Sequence, residues 1–191
     1  MVVVEVEKVL RVKGGKGTGR IADVRSWIFR PPVEPSTNAI SYAPLDGTPI
    51  TKSRVWDVPS NDPSSPFPER HMHWSPVALF GFSALTYNAH MIHYNESWTR
   101  NVEGHPGLVV HGPLNLINML DYWRDIHGSG GGLRLRSINY RAIAPLYAGE
   151  PYRITSSVLE ADHAPRYEVL VKKGDTVCMR GVITAEKVPS S

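Results

Sequence analysis

Gly112-Pro113-Leu114-Asn115-Leu116-Ile117-Asn118-Met119-Leu120-Asp121-Tyr122-Trp123-Arg124-Asp125-Ile126-His127-Gly128 is the stretch on which the fold turns. Proline is tolerated in the first turn of a helix because its missing N–H would have no partner there, so Gly112-Pro113 reads as a helix start. Leu114, Ile117, Leu120 and, less regularly, Trp123 and Ile126 recur every three to four residues, and the glycines from Gly128 stop the run. The spacing predicts one long helix with a buried face. Strand-like runs follow at Leu133 to Ala142, Tyr152 to Leu159, Tyr167 to Lys172 and Thr176 to Ala185. Pro145, Gly149, Asp162 to Pro165 and Lys173-Gly174-Asp175 punctuate them as turns. Consecutive strands joined by short turns pair antiparallel and leave no room for crossover helices. An antiparallel sheet curled around a single helix satisfies this order, which predicts an α+β domain.

Working back from the helix, Val77-Ala78-Leu79-Phe80-Gly81-Phe82 reads as a strand, with Ser83 capping a short helical stretch through about His93. Residues 31–70 hold more than half of the 16 prolines, with many Ser, Asn and Asp. Proline has no N–H to give a sheet, so this zone predicts a connector with little regular structure. Val2 to Val12 and Ile21 to Phe29 read as two strands, with Gly14-Gly15-Lys16-Gly17 as the turn between them. The resulting division is a strand pair at 1–30, a Pro-rich connector at 31–76 and the main domain at 77–188.

Composition narrows the partners. Apolar and charged residues make up 41% and 20% of the chain, as in ordinary globular proteins. The formal charge of +3 is mild and its cations are scattered, so nucleic acid is not an expected partner. No apolar run reaches the roughly 20 residues of a membrane span, and the start Met-Val-Val-Val-Glu-Val-Glu-Lys is unlike a targeting peptide. The expectation is a soluble, intracellular, cytoplasmic protein. Its one cysteine, Cys178, lies in the apolar run Thr176-Val177-Cys178-Met179 and reads as a buried thiol. His71/His73 and His90/His93 lack Asp, Glu or Cys at ligand spacing, so no metal site is expected.

Chemistry concentrates between Phe82 and Leu114. Asn88, His90 and His93 fall within two helical turns of sequence, and a histidine such as His93 is suited to general acid or base work. Val109-Val110-His111-Gly112-Pro113-Leu114 then leads into the start of the long helix. Free N–H groups and the positive dipole end there suit a developing oxyanion. Pro113 has no N–H, which leaves the Gly112 amide as the natural donor.

Phe82-Ser83-Ala84-Leu85-Thr86-Tyr87-Asn88-Ala89-His90-Met91-Ile92-His93-Tyr94-Asn95 and Glu103-Gly104-His105-Pro106-Gly107-Leu108-Val109-Val110-His111-Gly112-Pro113-Leu114 together resemble the second hot-dog domain of MaoC-like hydratases and dehydratases. The branch they resemble contains mesaconyl-CoA hydratases and fungal mitochondrial 3-hydroxyacyl-thioester dehydratases. Tyr140-Arg141-Ala142-Ile143-Ala144-Pro145-Leu146-Tyr147 extends the likeness more weakly. The resemblance implies a hot-dog fold, an antiparallel sheet wrapped around a long central helix. It implies addition or removal of water across the 2,3-bond of an acyl thioester, with no cofactor. His93 falls on the family's catalytic histidine. Asn88 falls where the wider family has an aspartate, five residues earlier, so it would orient the water or hydroxyl rather than take a proton. His90 is a possible second acid/base group. Tyr87, His111, Gly112 and Pro113 are the expected substrate-binding residues. The simpler roles are a cap or turn for Asn88 and shaping of the helix start for His111.

Members of this branch carry two hot-dog units. The strand pair at 1–30 resembles the end of a first unit, and Arg25-Ser26-Trp27-Ile28-Phe29-Arg30 is similar to the last strand before the linker. A homodimer joining two sheets is the expected replacement for the missing half. Two other readings stand beside the thioester hydratase: a hot-dog enzyme turned to dehydration, isomerisation or cyclisation of a free small molecule, and a non-catalytic ligand-binding protein.

Overall fold

The computed structural model describes residues 2–11, 20–29, 52–130, 132–162 and 164–188, which fall into two compact units, Met1–Glu34 and Pro35–Ser191. In the first, β1 (Val2–Arg11) and β2 (Arg20–Phe29) pair antiparallel, with Val2 opposite Phe29 and Arg11 opposite Arg20. Both strands are as the β-branched runs predict. The glycine turn expected at Gly14 to Gly17 lies outside the described residues.

The second unit holds a six-stranded antiparallel sheet in the order β3-β4-β6-β7-β8-β5. Its strands are β3 (Arg54–Val58), β4 (Glu69–His73), β5 (Leu133–Ala142), β6 (Tyr152–Glu160), β7 (Arg166–Lys173) and β8 (Thr176–Lys187). α1 (Pro76–Thr86) and α2 (Glu96–Asn101) precede the central helix α3 (Gly112–Trp123), which runs on into a π-helical turn, Arg124–Gly128. This is the hot-dog arrangement.

Strand period and helix period meet in the core. Tyr152 and Ile154 on β6, Tyr167, Val169 and Val171 on β7, and Ile183 and Ala185 on β8 alternate inward. They meet Leu114, Met119, Tyr122 and Trp123 of α3. At Gly181 on β8 the side chain of Met119 on α3 takes the space a Cβ would fill: a Cβ there would stand 2.5 Å from Met119 Cε and 3.3 Å from Ile138 Cδ1. Two polar ties fix α3 against the sheet. The Tyr122 hydroxyl donates to the Pro68 carbonyl at 2.6 Å and lies 3.2 Å from Ser156 Oγ. Trp74 Nε1 donates to the Tyr152 hydroxyl at 2.6 Å, and that hydroxyl donates to Asn115 Oδ1 at 2.7 Å.

Four expectations are corrected. Val77 to Phe82 is not a strand but part of α1, because Ser75 accepts from the Ala78 amide and Pro76 occupies the first turn. An apolar run without clear period fits either element, and the cap decides. Ser83 caps nothing; it is buried inside α1, which ends at Tyr87, and a separate 3-10 turn covers Met91–His93. The connector contains β3 and β4, so the sheet begins well before residue 77; its prolines at 59, 63, 66 and 68 lie between those strands, where no ladder N–H is needed. The rest of the connector, through Thr51, lies outside the described residues. Ile117 is 45% exposed, while Leu114, Asn115, Met119, Tyr122 and Trp123 form the buried stripe.

Candidate active site

The segment Leu108–His111 is buried and threaded between two neighbours. The Val109 amide donates to the Ile92 carbonyl at 2.9 Å, Val110 donates to Leu146 at 2.7 Å, and Ala148 donates back to Leu108 at 2.8 Å. These bonds bring the 3-10 turn carrying His93 against the start of α3, although the two are separated by some twenty residues of sequence. The His93 and His111 rings stack with centroids 3.6 Å apart and planes 19° from parallel.

His93 is 6% exposed, and its Nδ1 lies 2.7 Å from the Val109 carbonyl. A carbonyl oxygen can only accept, so Nδ1 carries the proton and Nε2 keeps its lone pair. Burial depresses the His93 pKa to about 4; the bond to Val109 opposes the shift and the neighbouring His90 adds to it. His93 is therefore a neutral imidazole at physiological pH. His111 is fully buried, with Nε2 2.8 Å from Ser83 Oγ. Burial first, and then His93, push its pKa down to about 3.

The remaining expected residues fall at different distances from this pair. Gly112 is the first residue of α3, with nothing within 4 Å of where a Cβ would stand. Pro113 follows it without an N–H. His90 is half exposed, with its ring 5.8 Å from that of His93 and its Nε2 3.6 Å from Glu103 Oε1. Asn88 sits in its own turn: its amide donates to the Ser83 carbonyl at 2.9 Å and its Oδ1 accepts from the His90 amide at 3.1 Å. That is the turn role weighed for it above. Tyr87 is 96% exposed, and its φ of 53° closes α1 in the left-handed region. Of the two, His111 is thus sealed inside the fold while Tyr87 lies open on its surface. Ser83, the Val109 carbonyl and Glu103 are additions. No local pattern pairs Ser83 with a histidine 28 positions away. A cleft of about 750 Å³ lined by Asn61, Phe67, Glu69, Arg153, Thr155 and Lys172 contains none of these residues.

The six-stranded sheet on its central helix and the family match together define the class: a MaoC-like hot-dog protein. Residues 34–148 match the family described as hydroxyacyl-thioester dehydratase type 2, more than half of the chain, and the chain belongs to that family. It is 35% identical over 83 residues to the mitochondrial hydroxyacyl-thioester dehydratase type 2 of Schizosaccharomyces pombe, a match covering 44% of this chain and 27% of that protein. It is 43% identical over 79 residues to the mesaconyl-C(4)-CoA hydratase of Chloroflexus aurantiacus, covering 41% and 27%. The matched part is thus about a quarter of either relative's length. The solved (R)-hydratase of A. caviae shares the fold, with a TM-score of 0.53 at 14% identity, over 67% of this chain and 100% of that one. Among the described residues no helix is long and apolar enough to cross a membrane.

Proposed function

We propose that this chain is a hydro-lyase acting on a 3-hydroxyacyl or 2-enoyl thioester, with His93 as the acid/base group and the Gly112 amide as oxyanion donor. The observation that carries the reading is the 3.6 Å stack of His93 on His111, which sets the reacting imidazole beside the residue that precedes Gly112.

In dehydration, His93 Nε2 takes the C2 proton and the C2–H electrons move onto the thioester oxygen. The Gly112 N–H and the positive end of α3 stabilise that charge, a contact worth roughly 3 kcal/mol where such donors have been removed. The electrons then return to form the C2–C3 double bond as the C3–O bond breaks. The departing hydroxyl takes the proton from His93 and leaves as water, so the imidazole ends neutral. Hydration is the reverse. Asn88, whose oxygen is held in a turn, would meet the water or hydroxyl through its amide NH₂. His90, paired with Glu103, would serve at the rim.

A second copy of the chain is the partner we propose. Val77, Phe80 and Leu85 of α1 are 70%, 59% and 82% exposed, and neither end turn of α1 carries a charge. An apolar face of this kind suits burial against another subunit. The likeness to the mesaconyl-C(4)-CoA hydratase points to a coenzyme A thioester. We read β1 and β2 as part of a hot-dog unit separate from the six-stranded one.

The test is hydration of crotonyl- and mesaconyl-type thioesters by the full chain and by His93→Ala. Loss of about 10²- to 10⁴-fold in the variant is expected for removal of a general base. Wild-type rates in His93→Ala would end the proposal. Tight binding of an apolar ligand without thioester turnover would favour the free-small-molecule enzyme or the binding protein.

A further inference from the structure

The Ser83–His111 contact has two possible proton arrangements. If His111 Nε2 donates to Ser83, then the Ser83 hydroxyl hydrogen and His111 Nδ1 both lack a partner among the described residues. If Ser83 donates to Nε2, the His111 Nδ1–H and the Ser83 oxygen lone pairs are left unpaired instead. Either arrangement keeps the 2.8 Å bond between Ser83 Oγ and His111 Nε2 and leaves Nδ1 without a partner among the described residues. His111 is a neutral ring held at Nε2 by Ser83. Its edge neighbour is Phe82, with ring centroids 4.8 Å apart.

We infer that Ser83 and His111 are a positioning pair for His93: the Ser83 hydroxyl locks the rotation of His111, and the His111 face at 3.6 Å locks the plane of His93 and the direction of its Nε2 lone pair. The inference rests on the reading of His93 as the acid/base group. His111 has no exposed surface and does not meet substrate; it acts through His93. When His93 takes a proton, the cation lies face to face with a ring that stays neutral, while the Val109 carbonyl accepts its Nδ1–H more strongly. A rigid base of this kind holds its lone pair toward C2 without reorganising. The groups that face His93 are His111, the Val109 carbonyl and His90, the last tied to Glu103.

Ser83→Ala and His111→Asn test this in the full chain, with His93→Ala as the control. The readouts are the ¹⁵N imidazole titration and tautomer ratio of His93 by NMR, and kcat, KM and the pH–rate profile on crotonyl thioester. Both variants are expected to free the His93 ring and let water reach it. Its titration should move up from about 4 toward the ordinary 6.5, with mixed tautomers. The acid limb of the rate profile should move with it, and kcat should fall by about ten- to a hundredfold with KM little changed, as expected for a misaimed group. If His111→Asn does not fold, the nearly isosteric Ser83→Ala carries the test alone. An unchanged His93 titration and tautomer in a folded variant would overturn the pairing. Retained activity in His93→Ala would remove the acid/base reading separately, because the NMR result judges the positioning on its own.

Discussion

Acidification should unfold this protein through its buried histidines. His93 and His111 are 6% and 0% exposed, and burial holds their pKa values at about 4 and about 3. In the unfolded chain both return to about 6.5. Between these values the unfolded state binds more protons than the folded one, so stability falls as pH falls. The loss begins near pH 6.5 and continues until the folded rings themselves titrate. At pH 5 each ring is about 1.5 pH units below its unfolded pKa, and each unit is worth about 1.4 kcal/mol, giving about 2 kcal/mol per ring and about 4 kcal/mol for the two. His127, also depressed to about 4 by burial, pulls in the same direction. Against a typical domain stability of about 5–15 kcal/mol, this is a large fraction. Urea denaturation followed by tryptophan fluorescence at pH 7.0, 6.0, 5.5 and 5.0 measures it. A midpoint that does not move between pH 7 and pH 5 would mean that both rings accept protons in the native state, and the sealed histidine stack would be refuted.

Gly181→Leu should lower stability by about 1–3 kcal/mol, since its Cβ alone would meet Met119 Cε at 2.5 Å; a thermal melt equal to the parent's would show that α3 does not press on β8 there. Tyr122→Phe should weaken folding by about 1–2 kcal/mol, because the Pro68 carbonyl loses its 2.6 Å donor, and proteolysis within 59–68 should speed up. Phe80→Glu combined with Leu85→Glu should convert a dimer to monomer in sedimentation; an unchanged oligomeric state would place the subunit contact away from α1.

What the sequence determined by itself is what short-range chemistry writes. Leu133–Ala142 is a strand as the run of residues predicts, and β6, β7 and β8 agree within a few residues. Gly112-Pro113 starts the central helix because first-turn geometry depends only on neighbouring residues. The long motif from Phe82 to Leu114 was enough to indicate the family. Where local preferences conflict, longer-range packing decided. β3 and β4 form around prolines because the sheet of β6 is there to pair with β4. Ile117 points outward because the buried stripe of α3 is set by where β6, β7 and β8 lie. The site shows the same division. His93 and His111 stand out as residue types in a motif, but the stacking of their rings depends on Val109 bridging Ile92 and Tyr147, contacts between chain segments far apart in sequence. Ser83 meets His111, and His111 meets His93, for the same reason. Contacts of that range cannot be read from periodicity, because they form only when the sheet closes around its helix.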